Sequence, residues 1–425
     1  MEIYTVKAGD TISSISNQYG LTPEEILNVN IIDNPDNLVV GQDLIILTPE
    51  IRHIVETGDT LNEIANIYNT TVNSILRNNP NLTPDNIAVG TPITISYKNV
   101  SPTRSIAING YTYPEIPLQK LIKILPYLTF LTIFTYGFTN EGDLIEPNDT
   151  TLINLALDYG VMPTMLISTL TSEGTFSNEL ARTLLNDYEL QTILINNIVD
   201  KMEEKGYKAL DIDFEYLPVE NRQSYIDFVT RLTQALNEKG YYSLVALAPK
   251  TSTDQEGLLY ESHDYFGLGR AANLALLMTY EWGYTFGPPL PVAPLPNVEA
   301  VISYGVTQIP SQKILMGVPL YGYDWKIPYV KGTRARSLSP VEAVNLALNT
   351  GQEISYDDYQ QAPYFYYNDN EQQHIVWFEN LRSINAKLNL VENYSLAGIS
   401  LWNIIRDFPQ FYVLVNSRFN IAQVL

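Results

Sequence analysis

The spacing of apolar residues changes along this chain, and the change divides it in two. Up to about residue 100, short β-type runs such as Tyr4-Thr5-Val6 lead into apolar positions at helical spacing, with Ile12, Ile15 and Tyr19 on one face and Ile26-Leu27 in a second helix. From Arg104 onward, β-rich runs alternate with amphipathic helical runs, the pattern of a parallel sheet with crossover helices. Eight strands are predicted: Ser105–Gly110, Thr129–Tyr136, Met162–Ser168, Ala209–Glu215, Ser243–Ala248, Leu274–Tyr280, Lys313–Leu320 and Gly398–Trp402. Helical patterns at Asn178–Lys205 and Glu220–Glu238 lie between them, the second stopped by Gly240 after Lys239. The fold class is therefore α/β, a (β/α)8 barrel with room for one insertion. The insertion is expected at about 328–378, a Tyr-rich, helix-poor stretch between strands seven and eight. The Pro-rich run Gly287–Pro291 reads as a stiff surface loop.

The first hundred residues contain a repeat. Tyr4–Thr11 aligns with His53–Thr60 at a displacement of 49 positions, and Ile15 with Ile64, Asn30 with Asn79 and Gly41 with Gly90 keep the register. Each copy reads as a β-α-α-β unit in which Gly-Asp-Thr opens the first helix, its Thr or Asp serving as cap. This opening, the Asn after the second helix and the Val-Gly-x-x-Ile closing pattern resemble the LysM module, with copies at 1–48 and 51–97. The resemblance implies N-acetylglucosamine-containing glycans bound between two loops, at Gly9, Asp10, Thr11 and Asn30 in one copy and Gly58, Asp59, Thr60 and Asn79 in the other. Turning and capping alone would account for the same Gly and Thr. A cut near Val100 is expected to leave an active barrel without its wall anchor.

Composition narrows the chemistry. Of 425 residues, 45% are apolar and 17% charged, the balance of a chain that buries much of itself. Forty-seven acidic against 25 basic residues give a net charge of -22, which repels nucleic-acid phosphates and anionic headgroups, so no nucleic-acid partner is expected. The absence of Cys excludes disulfides and thiolate chemistry, and three scattered His make a His-built metal site unexpected. No cofactor or metal is expected. Met1–Val6 lacks the basic and apolar regions of a secretory signal, and Leu118–Phe138 is broken by Lys120, Lys123 and Pro126, so membrane insertion is not expected either.

Strand four carries the strongest chemical signal. In Ala209-Leu210-Asp211-Ile212-Asp213-Phe214-Glu215-Tyr216, the period of two puts Asp211, Asp213 and Glu215 on one face and Ile212, Phe214 and Tyr216 on the other. The outer face of a barrel strand packs on helices and must be apolar, so the acids face inward. Three carboxylates there cannot all stay charged, and Glu215, at the C-terminal mouth, is the natural general acid. A solvated edge strand and a Mg or Ca site are the competing readings of such a ladder.

Asp-x-Asp-x-Glu ending strand four resembles family 18 of the glycoside hydrolases, the chitinase-type enzymes. Met278-Thr279-Tyr280-Glu281, Gly317–Gly322 and Gly398-Ile399-Ser400-Leu401-Trp402 resemble further family motifs, over residues 104–425. Two departures are Glu281, where Asp or Asn is usual, and Met165–Ser168 in place of Ser-x-Gly-Gly. The resemblance implies a substrate-assisted mechanism. Glu215 would be the acid, Asp213 the orienter of the substrate acetamide, Asp211 its proton-sharing partner and Tyr280 a hydrogen-bond donor to that acetamide. Trp402 would be the floor of the cleaving subsite, with Glu281, Trp282, Tyr321 and Asp324 as further substrate contacts.

Two LysM-like units ahead of such a barrel resemble the spore cortical-fragment lytic enzymes, which are N-acetylglucosaminidases. That resemblance implies peptidoglycan as partner, a monomer, and a place at the spore coat or cortex reached from the mother cell without a signal peptide. A chitinase acting on chitin oligomers and a lectin-like coat protein are the alternatives, the intact Glu215 speaking against the lectin.

Overall fold

A computed structural model describes residues 1–32, 34–84 and 87–423. In the first unit, strand Glu2–Thr5 pairs antiparallel with Asp43–Ile46, enclosing helices Ile12–Tyr19 and Pro23–Asn30. The second repeats this with Pro49–Ile54 against Pro92–Tyr97 and helices Leu61–Ile67 and Val72–Asn78. Thr11 and Thr60 cap the first helix of each, accepting from Ser14 N at 3.0 Å and Glu63 N at 3.2 Å.

All eight predicted barrel strands are present. They run Ser105–Thr112, Phe130–Phe138, Met162–Ser168, Ala209–Asp213, Tyr242–Leu247, Leu274–Leu277, Ile314–Pro319 and Gly398–Trp402, parallel in chain order. The ring closes where strand one pairs with strand two (Asn109 beside Phe130) and with strand eight (Ala107 beside Gly398). The long helical pattern at 178–205 is two helices, Asn178–Asn186 and Tyr188–Lys205. Asp187 ends the first and caps the second by accepting from Glu189 N and Leu190 N.

The added layer begins earlier and is less helix-poor than its tyrosines imply. It is a five-stranded antiparallel sheet starting at Gly322–Ile327 and ending at Gln372–Trp377, with helix Pro340–Thr350 packed on it through Ala343 and Ala347. Ser339 caps that helix and Pro340 occupies its first turn, a start signal that the tyrosine content masks.

The N-terminal pair packs directly on the barrel. Val29, Ile45, Leu47 and Tyr97 belong to the same buried apolar cluster as the barrel. Asp43, almost fully buried, accepts from the Arg382 guanidinium at 2.9 Å, and Ile354 N donates to Val40 O at 2.8 Å. Gly41 sits so close that a Cβ there would meet Ile354 O at 1.9 Å, whereas the equivalent Gly90 has open space. The second unit docks through Arg77, which donates to Pro126 O while Tyr127 donates to Arg77 O. Among the described residues no helix is long and apolar enough to cross a membrane.

Candidate active site at the barrel mouth

Strand four aims the acids because its alternate side chains have an apolar slot to fill. Phe214 is fully buried outside the strand, its ring 5.9 Å from those of Phe138, Tyr225 and Phe228. Asp211, Asp213 and Glu215 therefore turn inward, Asp211 buried and the two nearer the mouth partly exposed. Ladder pairing with strand five stops at Ile212, so Glu215 stands on chain that has already left the sheet.

Asp211 is fully buried and accepts from the Tyr111 hydroxyl across the barrel. Burial pushes its carboxyl up to about 6, against the pull of that hydrogen bond. Asp213 is pushed far above the carboxylate range by burial and by the charges of Glu215 and Asp211. Oδ1 of each Asp is buried without a hydrogen-bond partner, an arrangement that one shared proton relieves. Burial also raises Glu215, the direction a general acid needs. The Tyr280 hydroxyl lies in the field of Asp213, Glu215 and Asp211, which together with burial keeps it protonated and a donor. Asp213, Glu215, Asp211 and Tyr280 thus form one electrostatic unit. Among the described residues, no group of three or more His, Asp or Glu side chains is arranged to hold a metal ion.

Trp402 ends strand eight beside this unit. The rings of Tyr111, Phe134 and Tyr113 meet it edge-on at 5.3, 5.4 and 6.2 Å, fixing the indole plane. Trp282, half-buried, packs against the barrel core. Glu281, with a φ of 68°, accepts through Oε1 from the hydroxyls of Tyr321 and Tyr323. Tyr321 is buried and its hydroxyl holds the Glu281 carboxylate.

Asp324 is buried inside the added sheet, accepting from Tyr367 at 2.6 Å and paired with His374 Nδ1 at 2.7 Å. The Asn side chains of the repeat are held by backbone groups. Asn30 is fully buried, donating to Ile26 O and Ile45 O and accepting from Ile45 N, and Asn79 repeats this with Ile75 O, Thr94 O and Thr94 N. Asp10 accepts from Lys7 N and Tyr4, and Asp59 from Glu56 N while contacting His53 Nε2. Gly9 and Gly58 supply positive φ of 86° and 99° for the turns. These contacts build the two loops of each unit, while Gly9, Thr11, Gly58 and Thr60 remain exposed on them.

Tyr111, Tyr113 and Phe134 escaped the sequence reading. Tyr111 had a signal: with Ala107 and Asn109 it forms the inward period of strand one, where polar groups are uncommon without a task.

Comparison with known proteins agrees with this geometry. The family model described as "Glycosyl hydrolases family 18" matches residues 165–407, and "LysM domain" matches 4–47 and 53–96. The chain is 44% identical to the cortical fragment-lytic enzyme of Bacillus subtilis (strain 168) and 42% identical to that of Bacillus anthracis, in each case over 100% of this chain and 99% of the relative. The crystal structure of the Bacillus megaterium QM B1551 spore cortex-lytic enzyme SleL superimposes with a TM-score of 0.84 at 35% identity, covering 100% of this chain and 99% of that one.

Proposed function

The chain belongs to the glycosyl hydrolases family 18 and is a glycosidase with two LysM domains, and from that premise we propose that it cleaves β-1,4 bonds after N-acetylglucosamine in spore-cortex peptidoglycan, with retention of configuration. The names of its full-length relatives support the substrate, and the LysM domains supply affinity for the glycan. The enzyme works at the cortex as a monomer.

One observation carries the mechanism: Asp213 at the end of strand four and Glu215 two residues beyond it lie close enough that the charge of Glu215 acts on Asp213, and the protonated form of each is favoured. Glu215 gives its proton to the glycosidic oxygen. The substrate's acetamido carbonyl attacks the anomeric carbon as the bond breaks, forming an oxazolinium ion, the substrate-assisted exception to the two-carboxylate pattern. Asp213 orients the acetamide nitrogen and balances the developing charge, Asp211 taking up the proton the two share. Tyr280 donates to the carbonyl oxygen, and Trp402 gives the sugar an apolar floor. Water then opens the ring, its proton passing to Glu215.

Mass spectrometry of borohydride-reduced digests tests the substrate. Cortex fragments should end in reduced N-acetylglucosamine and be consumed faster than chitin oligomers; reduced muramic acid at the new ends would refute the proposal.

A further inference from the structure

Strands four and five separate at the mouth, and a buried histidine spans the gap. Their ladder ends at Ile212 beside Val245, leaving the Phe214 carbonyl and the Ala248 N–H outside it. Either group, buried and unpaired, would cost as much as a lost hydrogen bond. His263, 1% exposed, meets both: Ala248 N–H donates to Nδ1 at 2.8 Å, and Nε2 lies 2.9 Å from Phe214 O. Since Nδ1 accepts, the ring proton is on Nε2 and is donated to Phe214.

The neighbours of His263 continue the seam. Ser262 donates to Pro218 O at 2.5 Å, and Tyr265 donates to Ala248 O at 2.6 Å while accepting from Lys250 N. Residues 262–265 thus stitch the chain that follows strand four to the chain that follows strand five. Phe214 is the residue between Asp213 and Glu215, and its carbonyl belongs to the peptide that leads into Glu215, so the orientation of that peptide decides where the Glu215 carboxyl points.

We propose that His263 is a positioning residue for hydrolysis, its imidazole replacing one rung of the sheet and fixing the Phe214–Glu215 peptide so that the Glu215 carboxyl meets the glycosidic oxygen. Burial, together with the Lys250 ammonium, lowers its pKa to about 4, so the ring keeps one donor and one acceptor at neutral pH. The proposal rests on Glu215 being the acid. Without His263, the Phe214 carbonyl must rotate to find another donor, and Glu215 turns with it.

Three substitutions in the full chain separate the two bonds. His263→Gln puts an amide donor near the place of Nε2, His263→Asn leaves only an acceptor near the place of Nδ1, and His263→Leu removes both. Turnover of a soluble N-acetylglucosamine oligomer is measured per folded molecule, folding being scored by near-ultraviolet circular dichroism. The Gln variant should keep kcat within about threefold, while Asn and Leu lose about 100-fold in kcat at unchanged KM, the scale of an ångström-sized misplacement. Should the Leu variant not fold, the Gln and Asn pair still decides. Equal kcat in the Asn and Gln variants, or losses that follow only the folded fraction, would overturn the proposal. Glu215→Gln is run beside them: if it still turns over, the acid assignment fails, whatever the histidine variants do.

Discussion

Tyr111 of strand one donates its hydroxyl proton to Oδ2 of Asp211 on strand four, so the deepest acid of the ladder is held from across the barrel. The bond favours the charged carboxyl, while burial favours the neutral one. Tyr111→Phe should cost about 1–3 kcal/mol of stability at pH 7.5, the price of an orphaned buried acceptor, and clearly less at pH 4, where Asp211 is protonated. Urea unfolding at the two pH values checks this, and equal losses would contradict it.

Asp211 also gives the fold a pH dependence of known sign. Its folded pKa, about 6, lies above the ordinary 3.8, so the native state binds the extra proton between those values. Stability from this group is full below pH 3.8 and is lost as pH rises through 6, by on the order of 3 kcal/mol. Asp211→Asn should therefore be more stable than wild type at pH 7.5, with the gap closing near pH 4. A gap that persists at pH 4 would show that desolvation of Asp211 is not its source.

The contact between Asp43 and Arg382 joins the first LysM domain to the barrel across 339 positions of sequence. The carboxylate is buried and the guanidinium partly exposed, so a double-mutant cycle with Asp43→Asn and Arg382→Gln should give a coupling of about 1–2 kcal/mol. A coupling near zero would mean that the apolar seam of Val29, Ile45 and Leu47 holds the domains without help from charge.

What could be read in advance was local and periodic. The barrel strands stand out as β-rich runs between amphipathic helices, and the inward face of strand four follows from a period of two around Ile212 and Phe214. Partners distant in sequence stayed hidden. The sequence does not show that the added sheet brings His374 beside Asp324, or that Ile45 closes over Asn30. The docked LysM domains were missed for the same reason: nothing near Asp43 announces Arg382. In the sequence His263 is only one of three scattered histidines, because its partners, Phe214 and Ala248, offer backbone groups that leave no mark there.

Glu215→Gln preserves shape but cannot give up a proton in the same way. Hydrolysis should fall by about 100-fold or more while retention on insoluble cortex is unchanged. A loss under about tenfold would be too small for a general acid.

The acetamide as nucleophile is tested most directly by the stereochemistry of the first-formed product. Proton NMR during the opening minutes of digestion, before the anomers equilibrate, should show the new reducing-end N-acetylglucosamine in the β configuration, since attack by the acetamide and then by water inverts the same carbon twice. An α-anomer formed first would mean a single displacement by water, with no acetamide attack for Asp213 and Tyr280 to assist.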